Sequence, residues 1–219
     1  MRDRYSVAVG LIFLAVIVVA TISTIEGGGG GRILGLDKLP ARWPLPEFAV
    51  PDGAGRLEGD ANVAQDDCET SSLPCPGDSR RAPACGIGTA EAIRVCDLFD
   101  RPLVISFWFT KGEGCAEQQD VVERLHRRYR GRVGFLSMDI RDDRDTVREL
   151  IRWHGWTMPV GYDRDGAVGS LYGVGGCPTF AYVYPGGTLQ GASSGDLSTG
   201  QLAKRVEELL AATNAVERG

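Results

Sequence analysis

The chain has 219 residues, 43% of them hydrophobic and 24% charged, enough for one domain of ordinary size with appendages. Its 24 basic and 29 acidic side chains are interspersed and leave a net charge of −5, so there is no electrostatic footprint for nucleic acid. The densest basic stretch, residues 124–132, falls where a helix should end, and there cations complement the helix dipole.

Residues 5–25 form a stretch without a charge, long enough to cross a bilayer as a helix. Arg2 and Arg4 precede it and Glu26 follows, so the positive-inside rule predicts a single-pass anchor in the cell membrane. Its N-terminus is expected in the cytoplasm and the remainder outside; a cleaved signal peptide is the rival reading. Residues 26–46, with the run of glycines at 27–31 and Pro40, Pro44 and Pro46, read as a linker reaching about 25 Å. A domain is predicted over 47–214, opening with an extended EFAV run, a turn at Pro51-Asp52-Gly53 and a second extended run at 62–64.

Residues 65–97 read as a cysteine-rich insert. Its polar, Pro- and Gly-rich composition requires staples, because hydrophobic burial cannot order it. Cys68 with Cys75 and Cys85 with Cys96 are candidate structural disulfides, each worth roughly 2–3 kcal/mol on the loop-entropy model. Zinc is the alternative for these four. Their spacing lacks a C-x-x-C knuckle, and an extracytoplasmic compartment favours disulfides, so no metal is assigned. The remaining two of the six cysteines are Cys115 and Cys177.

From residue 102 onward the pattern is regular. A buried strand is predicted at 103–109, a helix at 115–130, a strand at 133–140 and a helix at 143–154, which together imply a parallel pair with a right-handed crossover. A hairpin is predicted from 179–184 and 188–191 around Pro185-Gly186-Gly187. The final helix carries a capping box, Ser198 with Gln201, and an apolar stripe through Leu202, Val206, Leu209 and Leu210. Cys115 stands where the first helix should begin, among unpaired N–H groups that favour thiolate. His126 and His154 fit no metal spacing, and Asp163-Arg164-Asp165-Gly166 reads as a turn rather than a calcium loop.

This order, with a cysteine at the first helix and Pro178 heading the hairpin, resembles the thioredoxin fold, an α/β mixed central sheet flanked by helices. Within it, the chain is most similar to the membrane-anchored TlpA-type redoxins. Phe107-Trp108 matches the strand end of that family's FWxxWCxxC motif, and Gly173 to Thr179 (GVGGCPT) matches its GVxxxPT segment, where the proline is cis. One departure stands out: aligned on Phe107-Trp108, the family's attacking cysteine falls at Gly112 and its resolving cysteine at Cys115. Ordinary C-x-x-C exchange is therefore closed to this chain.

In such a fold the cis-proline loop abuts the active-site helix, so the resemblance implies that Cys177 faces Cys115. It implies thiol-disulfide chemistry on protein substrates without a cofactor, with Cys115 as nucleophile, Cys177 as its resolving partner, and Trp108, Thr110, Lys111, Gly112 and Thr179 lining the site. Two alternatives stay open. One is a peroxiredoxin-like thiol peroxidase acting through Cys115 on a peroxide, and the other is a non-catalytic scaffold module with structural disulfides.

Overall fold

A computed structural model of the chain describes residues 35, 36, 39, 42–57, 64–66, 84–86, 88–112 and 114–216. The expected membrane span at 5–25 and the Cys68–Cys75 pair lie outside the described residues. Among the described residues no helix is long and apolar enough to cross a membrane.

Strands β1 (Glu47–Pro51), β2 (Ala64–Asp66) and β3 (Ala92–Arg94) form a small antiparallel sheet in the order β2-β1-β3. There follow β4 (Leu103–Trp108), α1 (Gln118–Arg128), β5 (Gly134–Ile140), α2 (Arg144–His154), β6 (Val160–Asp163), α3 (Ala167–Leu171), β7 (Thr179–Tyr184), β8 (Thr188–Ser194) and α4 (Thr199–Val216). Five strands make the main sheet, in the order β6-β5-β4-β7-β8. β4, β5 and β6 are parallel, whereas β7 is antiparallel to both β4 and β8.

β4 is central and buried at every position, which is why its sequence is a nearly continuous apolar run. Alternating side chains serve two cores. Val104, Trp108 and Phe135 pack with Val122 and Leu125 of α1, Val147 of α2, and Leu202 and Val206 of α4. Ile105, Phe107, Leu136 and Met138 pack with Phe48, Val50, Val168 and Tyr172. The capping box closes as its sequence requires: Ser198 N–H donates to Gln201 Oε1 at 2.8 Å, and Gln201 N–H to Ser198 Oγ at 3.3 Å.

Three expectations change. The linker ends before residue 46, because Leu36 and Leu45 are 2% and 5% exposed and join the second core. There the backbone runs beside β8: Arg42 N–H donates to Leu189 O, Leu189 N–H to Trp43 O and Leu45 N–H to Gly187 O. The insert is less irregular than its composition implies, since β2 and β3 pair on either side of β1 and Cys85 is bonded to Cys96, with Cα atoms 5.8 Å apart. The edge strand β6 escaped sequence reading because it is only four residues long and holds Gly161. A Cβ at Gly161 would collide with Met138 Sδ and press on Val50, so close packing of β6 needs glycine there. The other edge of β6 meets the chain after β1, where Gly53 N–H donates to Val160 O at 2.8 Å and Asp52 bridges Gly161.

A buried polar chain crosses the first core. Trp108 Nε1–H donates to Ser137 Oγ at 2.7 Å, Ser137 Oγ–H to Gln119 Oε1 at 3.0 Å, and Gln119 Nε2–H to Ser106 Oγ at 3.1 Å. It locks α1 onto β4 and β5. Ser137→Ala leaves the indole N–H and the Gln119 oxygen without their partner. A destabilisation of about 1–3 kcal/mol is expected, read as a lower urea midpoint by tryptophan fluorescence.

Candidate disulfide site

β4 ends at Trp108, and the chain turns through Thr110, Lys111 and Gly112 before α1. The helix starts later than its periodicity predicted. Residues 114–117 are turns, Gln119 N–H donates to Ala116 O and Asp120 N–H to Glu117 O, and the first α-helical residue is Gln118. Cys115 thus stands three residues ahead of the helix proper, its N–H donating to Gly112 O at 3.4 Å.

The second cysteine arrives through the sheet. Antiparallel pairing of β7 with β4 sets Thr179 opposite Phe107, which places the start of one strand at the end of the other. The Cys177–Pro178 peptide is cis. Cys115 and Cys177 are joined by a disulfide, with Cα atoms 5.8 Å apart and 62 residues between them in sequence. Their exposures differ: Cys115 is 2% exposed, while Cys177 is half-buried beside the exposed Gly175 and Gly176. Cys177 Sγ lies 3.9 Å from the Phe109 carbonyl oxygen.

Gly112 is the glycine that the bridge demands. A Cβ built there falls 2.5 Å from Cys115 Sγ, 2.6 Å from Cys177 Sγ and 3.1 Å from Phe109 Cε2. No side chain fits beside the sulfur pair without displacing it.

The remaining predicted residues divide. Trp108 is fully buried and meets Trp156 edge to face at 5.5 Å, so it backs Cys115 from within the first core and does not line an open site. Thr110 points away from the sulfurs, its N–H and hydroxyl both donating to the Asp142 carboxylate. Lys111 is exposed at the rim. Thr179 is buried and its hydroxyl donates to Gly176 O at 2.7 Å, bracing the loop that carries Cys177, while Pro178 O accepts Gly195 N–H at 2.9 Å. The Thr110 and Thr179 hydroxyls, which the peroxidase alternative would turn toward a peroxide, are committed to Asp142 and to Gly176 O.

Sequence reading missed three supports. Gln118 clamps the backbone of Leu197, donating to its oxygen and accepting from its nitrogen at 3.0 Å each, which ties the start of α1 to the loop before α4. Asp142 fixes Thr110, and behind it lies Asp139, which has no exposed surface. Burial, then the hydrogen bond and charge of Asp142, push the Asp139 carboxyl up to about 10, so it keeps its proton at neutral pH. The only signal for Asp139 was an acidic residue inside an otherwise apolar strand, FLSMDI.

No family model matches the chain. Thiol-disulfide oxidoreductase ResA from Oceanobacillus iheyensis is 24% identical over 113 residues, covering 51% of this chain and 59% of that protein. ResA from Geobacillus thermodenitrificans is 22% identical over 117 residues, covering 53% and 67% respectively. The chain thus spans little more than half the length of the first of these relatives. Among solved structures, DsbE from Chlorobium tepidum, a thiol:disulfide interchange protein by name, superimposes with a TM-score of 0.57 at 14% identity, over 80% of this chain and 99% of that one. MTB dsbF, solved in mixed oxidized and reduced forms, gives a TM-score of 0.50 at 25% identity over 54% and 87%. The chain has the thioredoxin fold.

Proposed function

We propose that this domain is a thiol-disulfide oxidoreductase that cycles between the Cys115–Cys177 disulfide and the corresponding dithiol. We further propose that residues 5–25 tether it to the outer face of the cell membrane. The tether rests on the uncharged run and on the arginines before it. The redox reading rests on one observation above all: the two sulfurs are bonded at the site of the fold where β4 ends and the cis-proline loop returns, and one of them reaches solvent. Similarity to ResA supports the same reading.

The exposures reverse the roles that the sequence suggested. An incoming thiolate must approach along the S–S axis, and Cys177 is the reachable sulfur. Attack there forms a mixed disulfide on Cys177 and expels Cys115 as thiolate. The turn leading into α1 sets Cys115 near the positive end of the helix dipole, which suits that leaving group. A second partner thiolate then attacks the partner sulfur of the mixed disulfide and releases Cys177, leaving the dithiol. In the opposite direction Cys177 attacks a partner disulfide and Cys115 resolves the mixed disulfide, restoring the bridge.

The single-cysteine variants test this. Cys115→Ser, which keeps Cys177, should trap a stable mixed disulfide with a model disulfide substrate, whereas Cys177→Ser should trap little; both should lose turnover to background. Equal trapping by the two variants would refute the assignment of roles. A wild-type bridge that dithiothreitol cannot open in the folded protein would make it a permanent staple and favour the scaffold reading.

A further inference from the structure

Cations gather beside the bridge. A cavity of about 790 Å³ opens at Thr110 and Lys111 and is lined by Arg141, Arg144, Arg148 and Arg164. A recess of about 390 Å³ shares Lys111, Arg141 and Asp142 with it and runs to Gly175, two residues from Cys177, over the apolar Phe109, Ile140 and Val174. Both volumes suit a small molecule. The three carboxylates of the larger cavity are engaged within the protein. Asp142 holds Thr110, Asp143 accepts Asp145 N–H as the cap of α2, and Asp145 pairs with Arg148 at 3.2 Å. Among the described residues, five cations against three acids make this rim positive, on a chain whose net charge is −5. Lys111, Arg141 and Arg164 are exposed there.

Resting on the redox reading above, we propose that the thiol consumed at this site is a low-molecular-weight thiol bearing carboxylates, held by Lys111 and Arg141 while its sulfur reaches Cys177. The first thiolate attacks Cys177 Sγ, the Cys115–Cys177 bond breaks, and Cys115 leaves as a thiolate that takes up a proton. A second thiolate attacks the small molecule's sulfur in the mixed disulfide and releases Cys177, also to be protonated. Two thiols lose two protons and two electrons to become one disulfide, and the protein bridge becomes two thiols. The apolar floor of the recess suits the carbon skeleton of such a thiol, and the cations suit its carboxylates.

The test uses the oxidised full chain in detergent and follows opening of the bridge by alkylation and mass shift. Reduced glutathione, cysteamine and dithiothreitol serve as probes, with rates expressed per thiolate. Glutathione should outpace cysteamine on the order of tenfold at low salt. That ratio should fall toward one in 1 M salt and in the folded double variant Lys111→Glu/Arg141→Glu. A ratio near one in the wild type, or a ratio that the double variant leaves unchanged, would overturn the proposal alone, provided dithiothreitol opens the bridge. A Glu-Cys-Glu peptide reacting much faster than glutathione would overturn it in favour of an acidic peptide partner. Failure of dithiothreitol to open the bridge would overturn both the redox reading and this inference.

Discussion

Gly112→Ala is expected to cost the protein its Cys115–Cys177 bridge. The added methyl would sit 2.5 and 2.6 Å from the two sulfurs, well inside contact distance, and the atoms it meets are held by β4, the turn before α1 and the cis-proline loop. Phe109 closes the third side at 3.1 Å. A bridge spanning 62 residues contributes about 4 kcal/mol on the loop-entropy model, so the melting temperature should fall by roughly 10 °C. Mass mapping of peptides under alkylation should find Cys115 and Cys177 free. Gly112→Cys sharpens the test, because the new thiol stands three residues before Cys115 and should pair with it, leaving Cys177 reduced. A persistent 115–177 peptide with an unchanged melting temperature in Gly112→Ala would show that the glycine is incidental.

Asp139→Asn is expected to stabilise the protein at neutral and alkaline pH. The sign follows from linkage. In the unfolded chain the carboxyl ionises at its ordinary value, 3.8, but in the folded protein it holds its proton to about 10. Between those values the native state binds one more proton than the unfolded state, so folding weakens as pH rises, by about 1.4 kcal/mol per pH unit. At pH 7 the accumulated penalty approaches roughly 4 kcal/mol, present above the unfolded value and complete only above the folded one. Asparagine cannot ionise, so the variant removes this penalty without placing a charge in the core. Urea titrations at pH 6, 7, 8 and 9 should therefore show a higher midpoint for the variant and a shallower decline. A variant that declines as steeply as the wild type, or is less stable at pH 8, would mean that Asp139 ionises normally.

The fold was legible where residues repeat with the period of their element. Leu103 to Trp108 could only be a buried strand, and the stripe through Leu202, Val206 and Leu209 could only be an amphipathic helix, so the β-α-β and β-β-α halves followed. Elements only one or two periods long were not legible. β6 has four residues and α3 five, too few for alternation or a helical stripe to declare itself. The site divides the same way. A cysteine ahead of a helix and another before a proline can be read from types and spacing. That Cys115 would be the hidden sulfur and Cys177 the reachable one depends on how residues 114–117 turn, which no spacing encodes. Gly112 reads from the sequence as a lost cysteine, and only packing reveals the room it leaves for sulfur. Asp139, Gln118 and Asp142 act through neighbours 3 to 79 residues away along the chain, and such pairings leave no trace in local composition.

The path of the chain before and after β1 has one more consequence. Residues 42–45 run beside β8, and residues 52 and 53 meet β6, so a single N-terminal stretch covers both margins of the five-stranded sheet. Uncovered margins of that kind offer unpaired N–H and C=O groups to any passing strand and invite self-association. The short segment ahead of Glu47 therefore acts as a guard against aggregation, and a version of this domain trimmed to Glu47 would lose that guard on the β8 side while keeping both bridged cysteines and the residues around them.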